Sequence, residues 1–444
     1  MSGDDLREAG RLGPAPPVPE PGRVRAVLRL AAIDVGPLRR HRDFRLLFVG
    51  MGVSNFGSMI TYVALPYQVF QLTGSSLAVG LMSLAELGPL LVTSFVGGAL
   101  ADAFDRRRLV QLAELLLAAC AGVLALNSWL WDPRVWILFV VGAAMAGLDG
   151  IQRPPLDALI PRLVDREELI AASALDSFRA NLGWVAGPAV AGVLIAVLGL
   201  PLTYLIDVAT FGVSLVALGL MRAVPPPPGA ERPSLRGIVE SFRYAMGRPE
   251  LVGTYGVDMI AMFFGIPIAL FPAFAEEFGG AGALGLLYAA PSVGALLATA
   301  TSGWTGRIQR HGVAVCWAAA GWGVAITALG FAPNLALALL ALTLAGAADM
   351  VSGIFRTTIW NTTIPDHLRG RLAGIEQVSY SAGPLLGNLE SGVVAAFAGV
   401  RASIVSGGVL CVAGVAVAAL ALPAFRRYDA RDHLTAPPAE PARS

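Results

Sequence analysis

Carboxylates stand alone inside long apolar stretches at Glu86, Asp258 and Glu390. An acid in such a place can alternate between protonated and ionised forms, and so carry a proton through a hydrocarbon barrier. A second kind of position mixes the two signs: Asp149, Arg153, Asp176 and Arg179 in the first half of the chain, and Asp349, Arg356 and Glu376 in the second. Asp149 and Arg153 are four residues apart, which puts them on one face of a helix. A charged side chain at mid-helix in a bilayer costs roughly 2.5–3.5 kcal/mol on insertion scales, so each is expected to face protein or a wet cavity. The mixed groups predict ion-pair clusters near the cytoplasmic helix ends, either as an inner gate or as static ties between helices. Asp207, nearer the periplasmic face, reads as a gating or interfacial residue.

Other chemistries do not find their residues. Cys120, Cys316 and Cys411 lie in separate apolar runs with no second thiol nearby, and His41, His311, His367 and His433 fall in loops or tails. Neither a disulfide framework nor a metal cluster follows from that spacing, and no cofactor is expected. The chain has no G-x-x-x-x-G-K-[ST] phosphate loop for ATP. Its 32 basic residues, all arginine, balance 31 acidic ones, which leaves no basic field for nucleic acid. Enzyme chemistry is not expected.

The elements that must position these charges are membrane helices. The chain is 444 residues long, 55% hydrophobic and 14% charged, with a mean hydropathy of +0.66. Between residues 44 and 424 it passes through twelve apolar stretches, the fifth over 169–197 and the sixth over 201–221. Each can cross a hydrocarbon core, which takes about 20 helical residues. Helices are required, since open strands would leave backbone groups unpaired in lipid, and barrel-type alternation is missing. The fold class is therefore an all-α membrane protein of twelve transmembrane helices. Arg106, Arg107 and Arg108, then Arg162 and Arg166, Arg222 to Arg248, Arg307 and Arg310, and Arg369 and Arg371 fall in alternate connections; the others hold only Arg134 and Arg401. The positive-inside rule then places both termini in the cytoplasm, as an even number of crossings requires.

The stretches form two sets of six, residues 44–221 and 251–424. Asp149 and Arg153 recur as Asp349 and Arg356, Ile160-Pro161 as Ile364-Pro365, and Gly187-Pro188 as Gly383-Pro384, the weak internal symmetry of a transporter built from repeats. The linker, 222–250, opens with Pro225 to Pro228 and continues into an amphipathic stretch expected to lie on the cytoplasmic leaflet, as spacer or regulator. Residues 1–43, without the pattern of a signal peptide, and 425–444 read as cytoplasmic tails, the first of them disordered.

Two motifs carry a family resemblance. The segment GGALADAFDRRRLV (97–110) resembles the signature loop of the major facilitator superfamily, with Gly98, Leu100, Asp102, Arg106 and Arg107 in register and Ala103 and Asp105 departing from it. The segment NLGWVAGPAVAGVL is similar to the superfamily's antiporter motif at Gly183, Gly187, Pro188 and Gly192, with Ala191 departing. VGLMSLAELGPLL before the loop, the proline linker and LGLLYAAPSVGALLATATSG extend the likeness, over most of residues 40–425, to the enterobactin-exporter branch and its macrolide and multidrug efflux relatives. The resemblance implies two pseudo-symmetric six-helix bundles and a gating latch formed by Gly98, Asp102, Arg106 and Arg107, although the arginines alone would also serve topology. For Gly183, Gly187, Pro188 and Gly192 it implies a face sealed against proton leak, where geometry by itself implies only close packing. It further implies a central cavity in which Asn55, Tyr62, Trp184, Phe263 and Tyr380 meet the solute.

The expected function is proton-coupled export, across the bacterial inner membrane, of a siderophore-like or amphiphilic drug-like molecule by a monomer using alternating access. A lysophospholipid flippase or an importer of the same fold is the alternative, and a sensor without flux is a more distant one.

Overall fold

The computed structural model describes residues 34–224, 243–364, 366–429 and 431, leaving aside the side chains of Phe95, Ala99, Asp102 and residues 366–379. The long helices are α1 Arg42–Thr73, α2 Ser76–Ala103, α3 Arg106–Trp129 and α4 Val135–Leu163, followed by one helical run, Leu169–Leu220. That run is broken at Gly199, whose φ of +76° and ψ of 170° are open to glycine and strained for other residues, and its arms are α5 (169–198) and α6 (200–220). The second half holds α7 Pro249–Phe264, α8 Ala281–Ala300, α9 His311–Gly330, α10 Leu335–Thr363, α11 Asp366–Ala398 and α12 Val400–Ala421. Ten helical stretches are long and apolar enough to span a bilayer; the break at Gly199 and the addition of α11 bring the helices to the expected twelve. The described residues contain no strand.

Local chemistry sets several boundaries. Gly74, left-handed at φ +63°, ends α1. Ser75, Asp105 and Asn334 cap α2, α3 and α10 by accepting the N–H groups of Ala78, Arg108 and Leu337 at 3.3, 3.1 and 3.0 Å. After α7 the chain breaks at Gly265 and resumes as a short helix, Phe271–Glu276, with Pro272 in its first turn. The backbone groups freed there are taken up by side chains. Trp322 Nε1 donates to the Gly265 carbonyl at 3.0 Å, and the Ala269 N–H donates to Asn388 Oδ1 at 3.1 Å, which makes a broken span tolerable at membrane depth.

The halves meet along two seams related by the internal symmetry, both at the end of the bundle away from the chain termini. On one seam α2 lies against α11: a Cβ added at Gly80 would stand 2.6 Å from the Asn388 carbonyl oxygen, and one at Gly392 would stand 2.7 Å from that of Ser76. On the other, α8 lies against α5, where a Cβ at Gly285 would stand 2.6 Å from the Pro188 oxygen and one at Gly192 2.7 Å from the Ala281 oxygen. Only glycine admits backbones this close.

The tails depart from expectation. A helical turn, Gly36–Arg40, precedes α1, and Arg40 and His41 reach Glu168 at 2.5 and 2.7 Å, so residues 34–43 are tied to the first bundle. Beyond α12 the turn Pro423–Arg426 buries Phe425 completely in the slots left by Gly253 of α7 and Gly312 of α9. Tyr428 follows, its hydroxyl 2.6 Å from that of Thr362 on α10. Residues 425–429 thus form a packed strap, where a tail was expected; an apolar residue finds a groove there that composition does not announce. The proline run and most of the amphipathic linker stretch lie outside the described residues.

Candidate functional site: a cavity between the two halves

A cavity of about 1600 Å³ occupies the space between the bundles. Its walls come from α1, α2, α4 and α5 of the first half and from α7, α8, α10 and α11 of the second, with Leu117 contributed by α3 and Trp322 by α9. The glycine seams close one end. Arg153, Asp157, Thr299 and Thr357, all exposed, line the other, so the cavity opens toward the end bearing the termini.

Four carboxylates and two guanidiniums face it: Glu86, Asp149, Asp157, Asp349, Arg153 and Arg356. Arg356, only 2% exposed, is held by an ion pair to Asp258 of α7, a second to Asp349 at 3.5 Å, and the Tyr380 ring at 5.6 Å. Asp258 is therefore a bound counter-ion, 4% exposed, and not the unpaired acid expected; the two residues are 98 positions apart but adjacent on packed helices. Glu390 also departs from expectation, lying half-buried on α11 outside the lining. Glu86 does face the cavity, beside Gly142, and takes no hydrogen bond or ion pair from the described residues.

The mixed-sign groups resolve into different structures. Arg179 bonds Asp176 on its own helix at 2.7 Å and reaches the Met51 carbonyl at 3.1 Å, tying α5 to α1 away from the cavity. Asp149 and Arg153 do line it. The ion pairs between described residues each stay within one half, so among these residues they tie helices of the same bundle and none of them spans the open end. The side chain of Glu376 lies outside the described residues. Asp207 is fully buried in the first bundle, accepting hydrogen bonds from Thr61 and Thr210, which corrects the interfacial reading.

Three expected solute contacts line the cavity: Tyr62, Trp184 and Tyr380. Tyr62 meets Trp184 edge-on with centroids 5.5 Å apart, and meets Tyr288 in the same manner at 5.6 Å. Asn55 and Phe263 do not reach the lining. Asn55 is covered by the smooth face of α5 at Gly183, and Phe263 packs edge-on against Phe264 at 4.9 Å.

The signature loop binds within its own half. Arg106 donates to the Ala101 and Ala158 carbonyls at 3.3 and 3.4 Å, and Arg107 to those of Leu218 and Gly219 at 2.6 and 2.7 Å. Both arginines thus sit on the negative ends of helices. The close helix approach falls at Gly97, where a Cβ would stand 2.7 Å from the Gly150 oxygen, while Gly98 faces open space. Asp102's side chain is outside the described residues; Asp105, the departure from the motif, caps α3 and also accepts the Val224 N–H at 3.0 Å. The antiporter motif packs on both sides: Gly183 and Gly187 against Asn55 and Met59 of α1, Pro188 and Gly192 against α8.

Two polar residues escaped sequence reasoning. Glu114, 1% exposed on α3, accepts from Ser54 at 3.1 Å and from Gln152 at 2.6 Å; its signal was the same as that of Glu86, a lone acid in an apolar run. Asn388 not only serves the break after α7 but donates to Ser83 Oγ at 3.1 Å, across the halves. An Asn388→Ala variant loses about 1–3 kcal/mol through the Ala269 N–H left unpaired, read as a lower melting temperature of the purified protein.

Two six-helix halves, sealed together at one end over an aromatic-lined cavity, have the architecture of a membrane transporter for a small molecule. The profile of the "Transmembrane secretion effector" family matches residues 33–442, and the chain belongs to that family, within the major facilitator superfamily. It is 29% identical over 400 residues to the enterobactin exporter EntS of Escherichia coli O1:K1, covering 89% of this chain and 95% of the relative. Among solved structures it is similar to the peptide transporter POT, with a TM-score of 0.71 at 13% identity over 91% of this chain and 99% of that one. It is also similar to a bacterial homologue of the iron transporter ferroportin in an inward-facing state, with a TM-score of 0.63 at 15% identity over 87% and 98%. At these identities the structural likenesses concern the fold alone.

Proposed function

We propose that the protein exports a siderophore-like or amphiphilic drug-like molecule across the bacterial inner membrane in exchange for protons, as a monomer working by alternating access. The observation that carries this reading is the cavity: sealed at one end by seams of bare backbone, open at the other, and holding an uncompensated carboxylate, Glu86, halfway along α2. With the termini in the cytoplasm, a placement the arginine distribution supports, the open end faces the cytoplasm, as in the loading state of an exporter. The relationship to an enterobactin exporter supports the outward direction. The internal acids supply the coupling. Glu86 can take a proton without breaking an ion pair, while Asp258 and Asp349 can do so only by releasing Arg356.

The test is uptake of a labelled catecholate siderophore and a labelled macrolide into everted inner-membrane vesicles energised by a pH gradient. Uptake of at least one is expected, is expected to collapse on adding a protonophore, and is expected to fall at least tenfold in Glu86→Gln. Transport that ignores the protonophore ends the proton-coupled reading. Undiminished transport by Glu86→Gln removes that residue as carrier, and labelled solute depleted from cells lacking the protein would mean import.

A further inference from the structure

The charges around the cavity are not equivalent, and their pairing narrows the solute. Arg356 reaches the cavity wall, but its charge is answered by Asp258 and Asp349 on two sides and by the Tyr380 ring on a third, and at 2% exposure it presents little surface to a ligand. Arg153, exposed at the open end, stands one helical turn from Asp149 and one from Asp157, so two acids flank it on its own helix. An anion entering the cavity therefore meets carboxylates beside each guanidinium on the described walls.

A cation finds the reverse. Glu86 has no cationic partner and no hydrogen-bond donor among the described residues, and it stands beside Gly142, which Leu65 and Met82 also approach. The aromatic pair Tyr62 and Trp184 lines the same cavity, meeting edge-on at 5.5 Å with Trp184 45% exposed to it. A carboxylate and aromatic rings in a largely apolar cavity are the elements that hold an organic ammonium or phosphonium, one by charge and the other by the ring quadrupole. The remaining lining is apolar, from Leu65, Met82, Leu90, Leu117 and Met262.

We infer that this cavity selects an organic cation with a bulky aromatic or apolar body, the charge held at Glu86 and the body against Tyr62 and Trp184. The inference takes its setting from the exporter reading above and narrows its solute to the cationic, drug-like side.

Tetraphenylphosphonium and tetraphenylborate have the same shape and opposite permanent charge, so they separate charge from fit. With the purified full-length protein in nanodiscs, titrations followed by tryptophan quenching and corrected with empty nanodiscs are expected to show the phosphonium binding at least tenfold tighter than the borate. Glu86→Gln is expected to lose at least tenfold in phosphonium affinity with borate affinity not reduced, which also reports an intact fold, and Glu86→Asp to retain most of the phosphonium binding. Equal or tighter borate binding by the unaltered protein overturns the inference without any variant, as does a Glu86→Gln protein that binds the phosphonium as before. The two readings fail separately. Phosphonium binding without gradient-driven flux leaves the site standing and ends the exporter, whereas gradient-driven flux of a neutral or anionic solute with no phosphonium binding does the opposite.

Discussion

Gly192→Leu lowers transport at least tenfold while leaving the protein folded. At this position a Cβ would stand 2.7 Å from the Ala281 carbonyl oxygen and 2.8 Å from Gly285 Cα, so the obstacle is backbone that cannot rotate away. The larger side chain cannot be accommodated while the seam between α5 and α8 is shut, and overpacking of this kind costs about 1–3 kcal/mol. Charged against the sealed state alone, that shifts the balance between sealed and open arrangements by about five- to 150-fold. Labelling of single cysteines placed along the cavity should move from the terminus-bearing end to the opposite one, and vesicle uptake should fall at least tenfold. Gly282→Leu is the control: it lies one turn away on α8, and its added Cβ meets nothing within 4 Å. Equal behaviour of the two variants would mean that the seam is not what shuts the cavity.

Removing Arg356 has the other large effect. Its guanidinium answers two acids at once, Asp258 by a direct ion pair and Asp349 at 3.5 Å, from a site 2% exposed. Taking away one partner of a buried pair costs about 3–5 kcal/mol, because the remaining charge has neither water nor counter-ion. Arg356→Ala should therefore melt well below the unaltered protein, and Arg356→Lys should recover only part of the loss, since one ammonium cannot serve both carboxylates and the Tyr380 face as a planar fork does. Arg356→Gln combined with Asp258→Asn should be more stable than the two single changes added together. Additive losses would show that the pair contributes nothing as a pair.

The helices were legible because hydropathy and length decide them: a bilayer-spanning stretch has few alternatives to α-helix. The break between the fifth and sixth spans was legible too, since an apolar run over 169–221 is too long for one crossing and Gly199 and Pro201 mark its middle, and the turn falls on Gly199. The partners were not legible. Asp258 looked solitary because a salt bridge to a residue 98 positions away leaves no local trace. With 51 glycines in the chain, nothing in the sequence separates Gly97, which touches α4, from Gly98, which faces open space, or marks Gly80, Gly192, Gly285 and Gly392 as the four that join the halves. Tyr62 and Trp184 were placed in the cavity by the family pattern, whereas Asn55 and Phe263, suggested on the same basis, point into helix contacts that depend on the phase of each helix about its axis. Asp105 was counted as a departure from a motif, yet it has a local task, capping α3.

Phe425, seated in the slots of Gly253 and Gly312, has a consequence for how the molecule is made. The helices bearing those slots leave the ribosome long before Phe425 does, and at about 5–20 residues per second the delay after Gly253 is on the order of ten seconds or more. The second bundle must wait in the membrane with two vacant notches until the strap arrives. Biogenesis of this protein therefore finishes late, with the later bundle completed only by the last packed residues to be made.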